Sequence, residues 1–145
     1  MTRINSAISP AFLTDEHLLA EHREIKRLPV MFKKHYDPSK TPNKFTLGKG
    51  HVLYFIDKPD FTLNRYNAVR KECLSRKFNI EDYSSNWDSY IGFKGKEHKH
   101  TSEEKFSLVE RITERILNSP KQFWHYRGER ISKEGAISLL KNNDE

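Results

Sequence analysis

Apolar residues recur at helical spacing in three separate stretches, and this periodicity limits the fold of the chain more than any other feature. The first stretch steps by three, four or seven residues, which returns each time to one face of an α-helix, through Leu18, Ile25, Leu28, Phe32 and Tyr36. The other two stretches comprise Leu63, Tyr66, Val69, Cys73, Leu74 and Phe78, and then Phe106, Val109, Ile112 and Ile116. Three amphipathic helices around one core predict an all-α fold.

The first of these helices is predicted to run from about residue 14 to 36. Thr14 and the two acidic residues after it are typical of a helix start. Pro29 lies inside the helix and lacks an N–H group, so we expect a kink or a local break near Ile25.

The other two helices also have recognisable ends. Asp57 and Pro59 begin the second, which is predicted to end near Lys77. Thr101 and Glu104 form a capping box at the start of the third, and Pro120 closes it; its range is therefore about 101–120.

The connecting segments are predicted to be long loops. Residues 51–57 read "HVLYFID", an apolar run that would suit a buried strand, but no second strand-like run accompanies it. We therefore expect buried irregular or helical chain there, and one or two further helical turns from Ser132. The prediction is one compact domain over residues 1–145, with residues 129–145 as a C-terminal extension.

Composition narrows the function without naming it. Of the 145 residues, 35% are hydrophobic and 12% aromatic, so large rings must fill much of a modest core. A net charge of +6 favours a polyanionic partner such as nucleic acid. The lone cysteine, Cys73, predicts a buried thiol in a reducing compartment, and no apolar run reaches the roughly 20 residues that span a bilayer. A cytoplasmic protein without membrane contact is expected.

The segment "AEHREIKR", residues 20–27, places unusual charge on the first helix. Steps of three and four bring its polar side chains to one side, a set that comprises His17, Glu21, Glu24, Arg27 and, slightly aside, Arg23. This face is either a functional site or a solvated surface with ion pairs such as that between Glu24 and Arg27.

Four separate sequence segments favour a functional site over a solvated surface on this face. "MTRIN", "HLLAEHRE", "LGKGHVLYFIDK" and "ECLSRKFNI" occur in this order, and together they resemble the phage-type pyrimidine-dimer DNA glycosylase, also called endonuclease V of the phage type. The resemblance covers about the first 80 residues and returns more weakly from Arg111 to Gly128. It implies a compact helical monomer whose N-terminal segment packs against or between the helices.

The same resemblance implies an activity. Members of the family remove ultraviolet-linked pyrimidines from double-stranded DNA and then nick the backbone, with no metal, no cofactor and no protein partner. The nucleophile would be the α-amine of Thr2 after removal of Met1, and the matching carboxylate is Glu24. Arg3, Arg23 and Arg27 match arginines of the family.

Elementary acid–base chemistry supports an α-amine in this role. A combined glycosylase and AP lyase needs an unprotonated amine that attacks the sugar C1′ and forms a Schiff base. The pKa of an α-amine is about 7.7 to 8.0, against about 10.4 for lysine, so the terminus is far more often neutral at pH 7. Nearby Arg3 and Arg23 would lower this pKa further by charge repulsion.

DNA contacts are expected on the same face and on the third helix. Arg111 and Arg115 lie one turn apart and match basic positions of the family, as His17 matches a family histidine. Trp124 and Tyr126 match its aromatic C-terminal segment, which lies against the lesion. The alternatives from the residues alone are a solvated helix edge for the arginines, a polar surface position for the histidine and core packing for the aromatic pair.

Departures from the family pattern leave the lesion open. Lys26 stands where the family usually has proline, and His22 replaces a customary tyrosine. A related damaged base therefore remains an alternative substrate to the pyrimidine dimer.

Two other function classes also remain. A noncatalytic basic DNA-binding module would satisfy the composition. A metal-dependent nuclease using His51, His98 and His100 is less favoured, because no paired carboxylates accompany these histidines at ligand spacing.

Overall fold

The computed structural model describes residues 4–142, without the side chain of Lys49. Within this range it contains a hairpin of β1 (Phe123–Tyr126) and β2 (Glu129–Ser132), and six α-helices: α1 (Asp15–Ile25), α2 (Arg27–His35), α3 (His51–Phe55), α4 (Pro59–Ser75), α5 (Ser102–Asn118) and α6 (Lys133–Lys141). Short 3-10 segments are Pro10–Phe12, Pro38–Lys40, Gly48–Gly50 and Ser84–Tyr90. The mainly helical prediction is confirmed, but the count of three principal helices is wrong.

The predicted first helix is two helices, α1 and α2, that meet at Lys26. Thr14 caps α1, because its hydroxyl accepts a hydrogen bond from the backbone N–H of His17 at 3.2 Å. Pro29 is the third residue of α2 and has no N–H to donate to the carbonyl of Ile25, so the α-helical ladder is interrupted there. The expected break near Ile25 is confirmed.

The second and third predicted helices are α4 and α5. Thr101 and Glu104 form the predicted capping box in both directions, at 3.0 and 3.2 Å. At the end of α4, Lys77 has a φ of 64°, and the N–H of Phe78 donates to the carbonyl of Cys73 at 3.0 Å. This Schellman motif ends the helix close to the predicted residue.

The apolar run at residues 51–57 contains the short helix α3, which agrees with the helical alternative. Cys73 is fully buried, and burial raises the pKa of its thiol to about 11. Of the helices in residues 4–142, none combines the length and apolar character required to cross a membrane.

The hairpin β1–β2 was not expected from the sequence. Its two-residue turn, Arg127 and Gly128, has φ values of 52° and 84°, as in a type I′ turn. Both backbone N–H groups of this turn donate to the carboxylate of Asp15 at the start of α1, at 3.0 and 2.9 Å. A contact over more than 110 residues therefore holds the turn, which explains why local pattern failed to predict it.

Gly128→Ala is expected to destabilise the protein by about 1 kcal/mol, because a Cβ at positive φ is strained even where space is free. Urea unfolding monitored by circular dichroism measures the difference. Gly135→Ala in α6 is the matched control and should be neutral or stabilising, since its φ is not positive. Equal losses for both variants would contradict the assigned turn.

Two buried clusters form the core. The first joins the N-terminal segment, α1, α4, α5, the hairpin and α6 and comprises Ile8, Leu13, Leu18, Val69, Cys73, Leu108, Ile112, Ile116, Trp124, Ala136 and Leu140. The second comprises Ile4, Ile25, Leu28, Tyr54, Phe55, Tyr66, Trp87 and Tyr90. Ile4 and Ile8 are fully buried, so the described part of the N-terminal segment packs against the helices as expected.

Candidate functional site

A cavity of about 280 Å³ lies where α1 meets α5. The side chains that line it come from the N-terminal segment, α1 and α5, and are Asn5, His17, Ala20, Glu21, Glu24, Arg111, Ile112 and Arg115. The structure thus brings together five of the residues that the sequence placed on charged helix faces.

Other predicted site residues lie elsewhere. Arg23 and Arg27 are exposed on α1 and α2 and do not line the cavity. Thr2 and Arg3 lie outside the described residues.

The two glutamates of the cavity differ in their surroundings. Glu21 receives two hydrogen bonds from the guanidinium of Arg65 on α4, at 2.6 and 2.9 Å, and both side chains are buried. The same guanidinium donates to the carbonyl of Ile8 at 2.6 Å. The negative charge of Glu21 is therefore balanced by Arg65, and its side chain is held against α4. Glu24, in contrast, is only partly buried.

The N-terminal segment is anchored beside α1 through His51. The carbonyl of Thr46 lies 3.0 Å from His51 Nδ1 and can only accept, so Nδ1 donates this hydrogen bond. His51 Nε2 then accepts a hydrogen bond from the backbone N–H of Ile4 at 3.1 Å. Ile4 packs in the same buried cluster as Ile25, the neighbour of Glu24.

Asn5 is a residue of this site that the sequence reasoning did not single out. It is 5% exposed and lines the cavity. Within residues 4–142, its amide oxygen Oδ1 has no hydrogen-bond partner. The signal in the sequence was its place at the end of the block "MTRIN".

His17 is held by the helix cap and faces the arginines of α5. Its Nδ1 lies 2.7 Å from the hydroxyl of Thr14. Burial lowers the pKa of His17, and the positive charges of Lys121 and Arg115 act in the same direction. The lowered pKa favours the neutral form of this ring in the cavity.

Trp124 and Tyr126 are occupied by contacts within the protein. Trp124 is 4% exposed and belongs to the first buried cluster. The hydroxyl of Tyr126 donates to the carbonyl of Ala11 at 2.7 Å, and its ring lies under the guanidinium of Arg76. These contacts favour the alternative of core packing over direct contact with a lesion.

The histidines considered for a metal-dependent nuclease do not group as proposed. His51 is the anchor of Ile4, whereas His98 and His100 lie together with Glu104. The sequence argument considered only paired carboxylates, and it passed over the single carboxylate of Glu104, which the first turn of α5 brings close to His98 and His100. None of these residues lines the α1–α5 cavity.

Stability is expected to decrease as the pH falls from about 7 towards 5, because His17 and His22 resist protonation in the folded state. Burial is the largest cause that lowers the pKa of each. The unfolded chain, with a histidine pKa near 6.5, then binds more protons than the folded chain. The contribution of these residues is complete above that value and is lost as the pH falls towards the lower folded pKa.

His22→Phe isolates one of these groups. The imidazole of His22 contacts the rings of Tyr66 and Tyr83, with centroids 5.6 and 5.1 Å away, and phenylalanine preserves these ring contacts without a titrating group. Urea unfolding at pH 7 and pH 5 should show a smaller pH effect in this variant, and the exposed His35→Phe should behave as the wild type. An unchanged pH effect in His22→Phe would contradict the explanation.

Comparison with known protein families agrees with the resemblance of the sequence blocks. The model of the family described as pyrimidine dimer DNA glycosylase matches residues 1–85, which is 85 of 145 residues. The matched range includes Asn5 and Glu24 but ends before α5. The chain therefore belongs to the pyrimidine dimer DNA glycosylase family.

Proposed function

We propose that this protein is a DNA glycosylase with AP lyase activity that acts on pyrimidine dimers, or a related damaged base, in double-stranded DNA. The α-amine of Thr2, exposed by removal of Met1, is the nucleophile, and Glu24 is the catalytic carboxylate. The observation that carries the proposal is the cavity in which Glu24 lies with Asn5, Arg111 and Arg115. Family membership implies a DNA substrate with damaged bases.

The anchored N-terminal segment supports the choice of nucleophile. Ile4 is hydrogen-bonded to His51 and packs with Ile25, and Asn5 lines the cavity. Thr2 is two residues before Ile4 in the sequence. The proposal requires its amine to reach a sugar bound beside Glu24.

The proposed reaction has two stages. In the first, the neutral amine forms a bond to C1′ while the bond from C1′ to the base breaks, and the departing base takes the electron pair. The carboxylate of Glu24 stabilises the positive charge that develops on the sugar. The nitrogen then loses a proton, and its lone pair forms the C1′–N double bond as the C1′–O4′ bond breaks. O4′ takes up a proton, which leaves an open sugar chain with a protonated imine.

In the second stage the imine makes the C2′ protons acidic. Glu24 accepts one of them, and the bond from C3′ to its phosphate oxygen breaks by β-elimination, which nicks the strand. Hydrolysis of the imine releases the sugar fragment and restores the amine.

The positive charge around the cavity suits the DNA backbone. Glu21 is neutralised by Arg65, so Arg111 and Arg115 give their side of the cavity an excess of positive charge. Arg23 and Arg27 are exposed on α1 and α2, outside the cavity, and add further positive charge to the protein surface. These arginines would bind phosphates while the damaged nucleotide leaves the stack, which costs a few kcal/mol.

Borohydride trapping tests the proposal. Protein without Met1 is incubated with irradiated or undamaged duplex, reduced, and the covalent adduct is mapped by peptide mass spectrometry. A reduced imine on Thr2 that forms with irradiated duplex supports the mechanism. DNA binding without an adduct would instead identify a noncatalytic module, and an adduct on a lysine would refute the assigned nucleophile.

A further inference from the structure

A second group of ligand-type side chains lies outside the proposed catalytic cavity, at the start of α5. Three atoms converge there: His98 Nε2, His100 Nδ1 and Glu104 Oε1. The two nitrogens are 3.1 Å apart, and the carboxylate oxygen is 3.9 Å from the first and 3.5 Å from the second. The side chains are 4%, 13% and 21% exposed, respectively.

These distances match the coordination geometry of zinc. A tetrahedral Zn²⁺ ion with bonds of about 2.0 to 2.1 Å places its ligand atoms roughly 3.4 Å from one another. The three measured separations lie on both sides of this value, so one ion can bind all three atoms after shifts of a few tenths of an ångström. Two imidazoles and one carboxylate are also ligands that zinc accepts.

The surrounding groups orient each ligand. His98 Nδ1 is 2.6 Å from the hydroxyl of Tyr54, and His100 Nε2 is 2.5 Å from the hydroxyl of Ser6. Both hydroxyls can accept a hydrogen bond from a ring N–H at these outer nitrogens, and in that tautomer the lone pairs of the converging nitrogens can bind a cation. The backbone N–H of Thr101 donates to Glu104 Oε1 at 3.0 Å and holds the carboxylate.

A place for a fourth ligand is open. His98 and Glu104 line a surface cleft of about 580 Å³, together with Tyr54 and Thr101. His100 does not line this cleft, so a water molecule would approach the three atoms from the side of His98 and Glu104 and complete a tetrahedron.

We propose that His98, His100 and Glu104 form a zinc site whose fourth ligand is water. The ion joins the segment before α5 to the first turn of that helix, and through His100 and Ser6 it braces the N-terminal segment next to Asn5. The site therefore stabilises the protein and is independent of the proposed amine chemistry.

Glu104 is both a proposed zinc ligand and part of the capping box of α5. The variants must therefore distinguish a loss of zinc binding from a loss of the helix cap. Glu104→Gln keeps a capping side chain that accepts from Thr101 but removes the charge that zinc requires. Thr101→Ala removes the other half of the cap and leaves all three ligands. His98→Gln/His100→Gln removes both nitrogens, and the exposed His35→Gln controls for surface histidine binding.

Full-length protein is stripped with chelator, and ZnCl₂ is added in a calorimetric titration, with CoCl₂ absorption as a probe of tetrahedral geometry. We expect one zinc per chain at micromolar concentration, a higher Tm with zinc and intense tetrahedral cobalt absorption. Thr101→Ala and His35→Gln should retain this binding, Glu104→Gln should weaken it about tenfold or more, and the double histidine variant should abolish it. Absence of stoichiometric zinc binding by the wild type, or unchanged binding by Glu104→Gln and the double variant, would refute the site.

Discussion

Glu24→Gln is expected to lower the single-turnover rate of strand nicking by about 10²- to 10⁴-fold, while the affinity for irradiated duplex changes little. Glutamine has nearly the same shape as glutamate, but it neither stabilises a developing positive charge nor accepts a proton at neutral pH. Glu24 is partly buried and lines the cavity between α1 and α5. The proposed reaction requires a carboxylate in this cavity.

The control for this variant is Glu110→Gln on α5. Glu110 is exposed and lies beside the groove between α5 and α6, away from the cavity of Glu24. It should nick irradiated DNA as fast as the wild type. If Glu24→Gln also retained the wild-type rate, Glu24 would not be the catalytic carboxylate.

Arg65→Met is expected to destabilise the protein by about 3 to 5 kcal/mol, because it leaves the carboxylate of Glu21 buried without its partner. The side chain of Glu21 is 0% exposed and receives both of its ion-pair hydrogen bonds from Arg65. Chemical denaturation with urea at pH 7 measures the loss, and a Tm lower by roughly 10 °C or more should accompany it.

The double variant Glu21→Met/Arg65→Met tests the physical reason. Removing both charges should recover much of the lost stability, because neither partner then remains buried and unpaired. Arg70→Met is the surface control, since its contact with Asp82 is 3.8 Å long and partly exposed, and it should cost no more than about 1 kcal/mol. A double variant as unstable as Arg65→Met would show that packing, rather than charge, explains the loss.

The buried ion pair also bears on the proposed function. Glu21 and Glu24 are one turn apart on α1, and Arg65 holds that part of the helix against α4 and the N-terminal segment through the carbonyl of Ile8. The ion pair thus stabilises the part of α1 that carries Glu24. Arg65→Met should lose nicking activity because the protein unfolds. Glu24→Gln should stay folded and nick DNA far more slowly than the wild type.

Local chemistry made much of the helical framework predictable. The capping box of Thr101 and Glu104 depends only on residues three apart, and the break before α2 follows from the missing N–H of Pro29. The pairing of Asp15 with the turn at Arg127 and Gly128 depends on chain segments far apart in sequence. The hairpin was missed for this reason.

The sequence by itself determined that α1 carries His17, Glu21 and Glu24 on one side, because helical spacing requires it. Only the tertiary structure decided that Arg65 buries and neutralises Glu21 while Glu24 faces a cavity, and that Glu104 rather than His51 accompanies His98. The physical reason is that helical periodicity defines which side chains share a face, whereas burial and charge pairing depend on what long-range folding packs against that face.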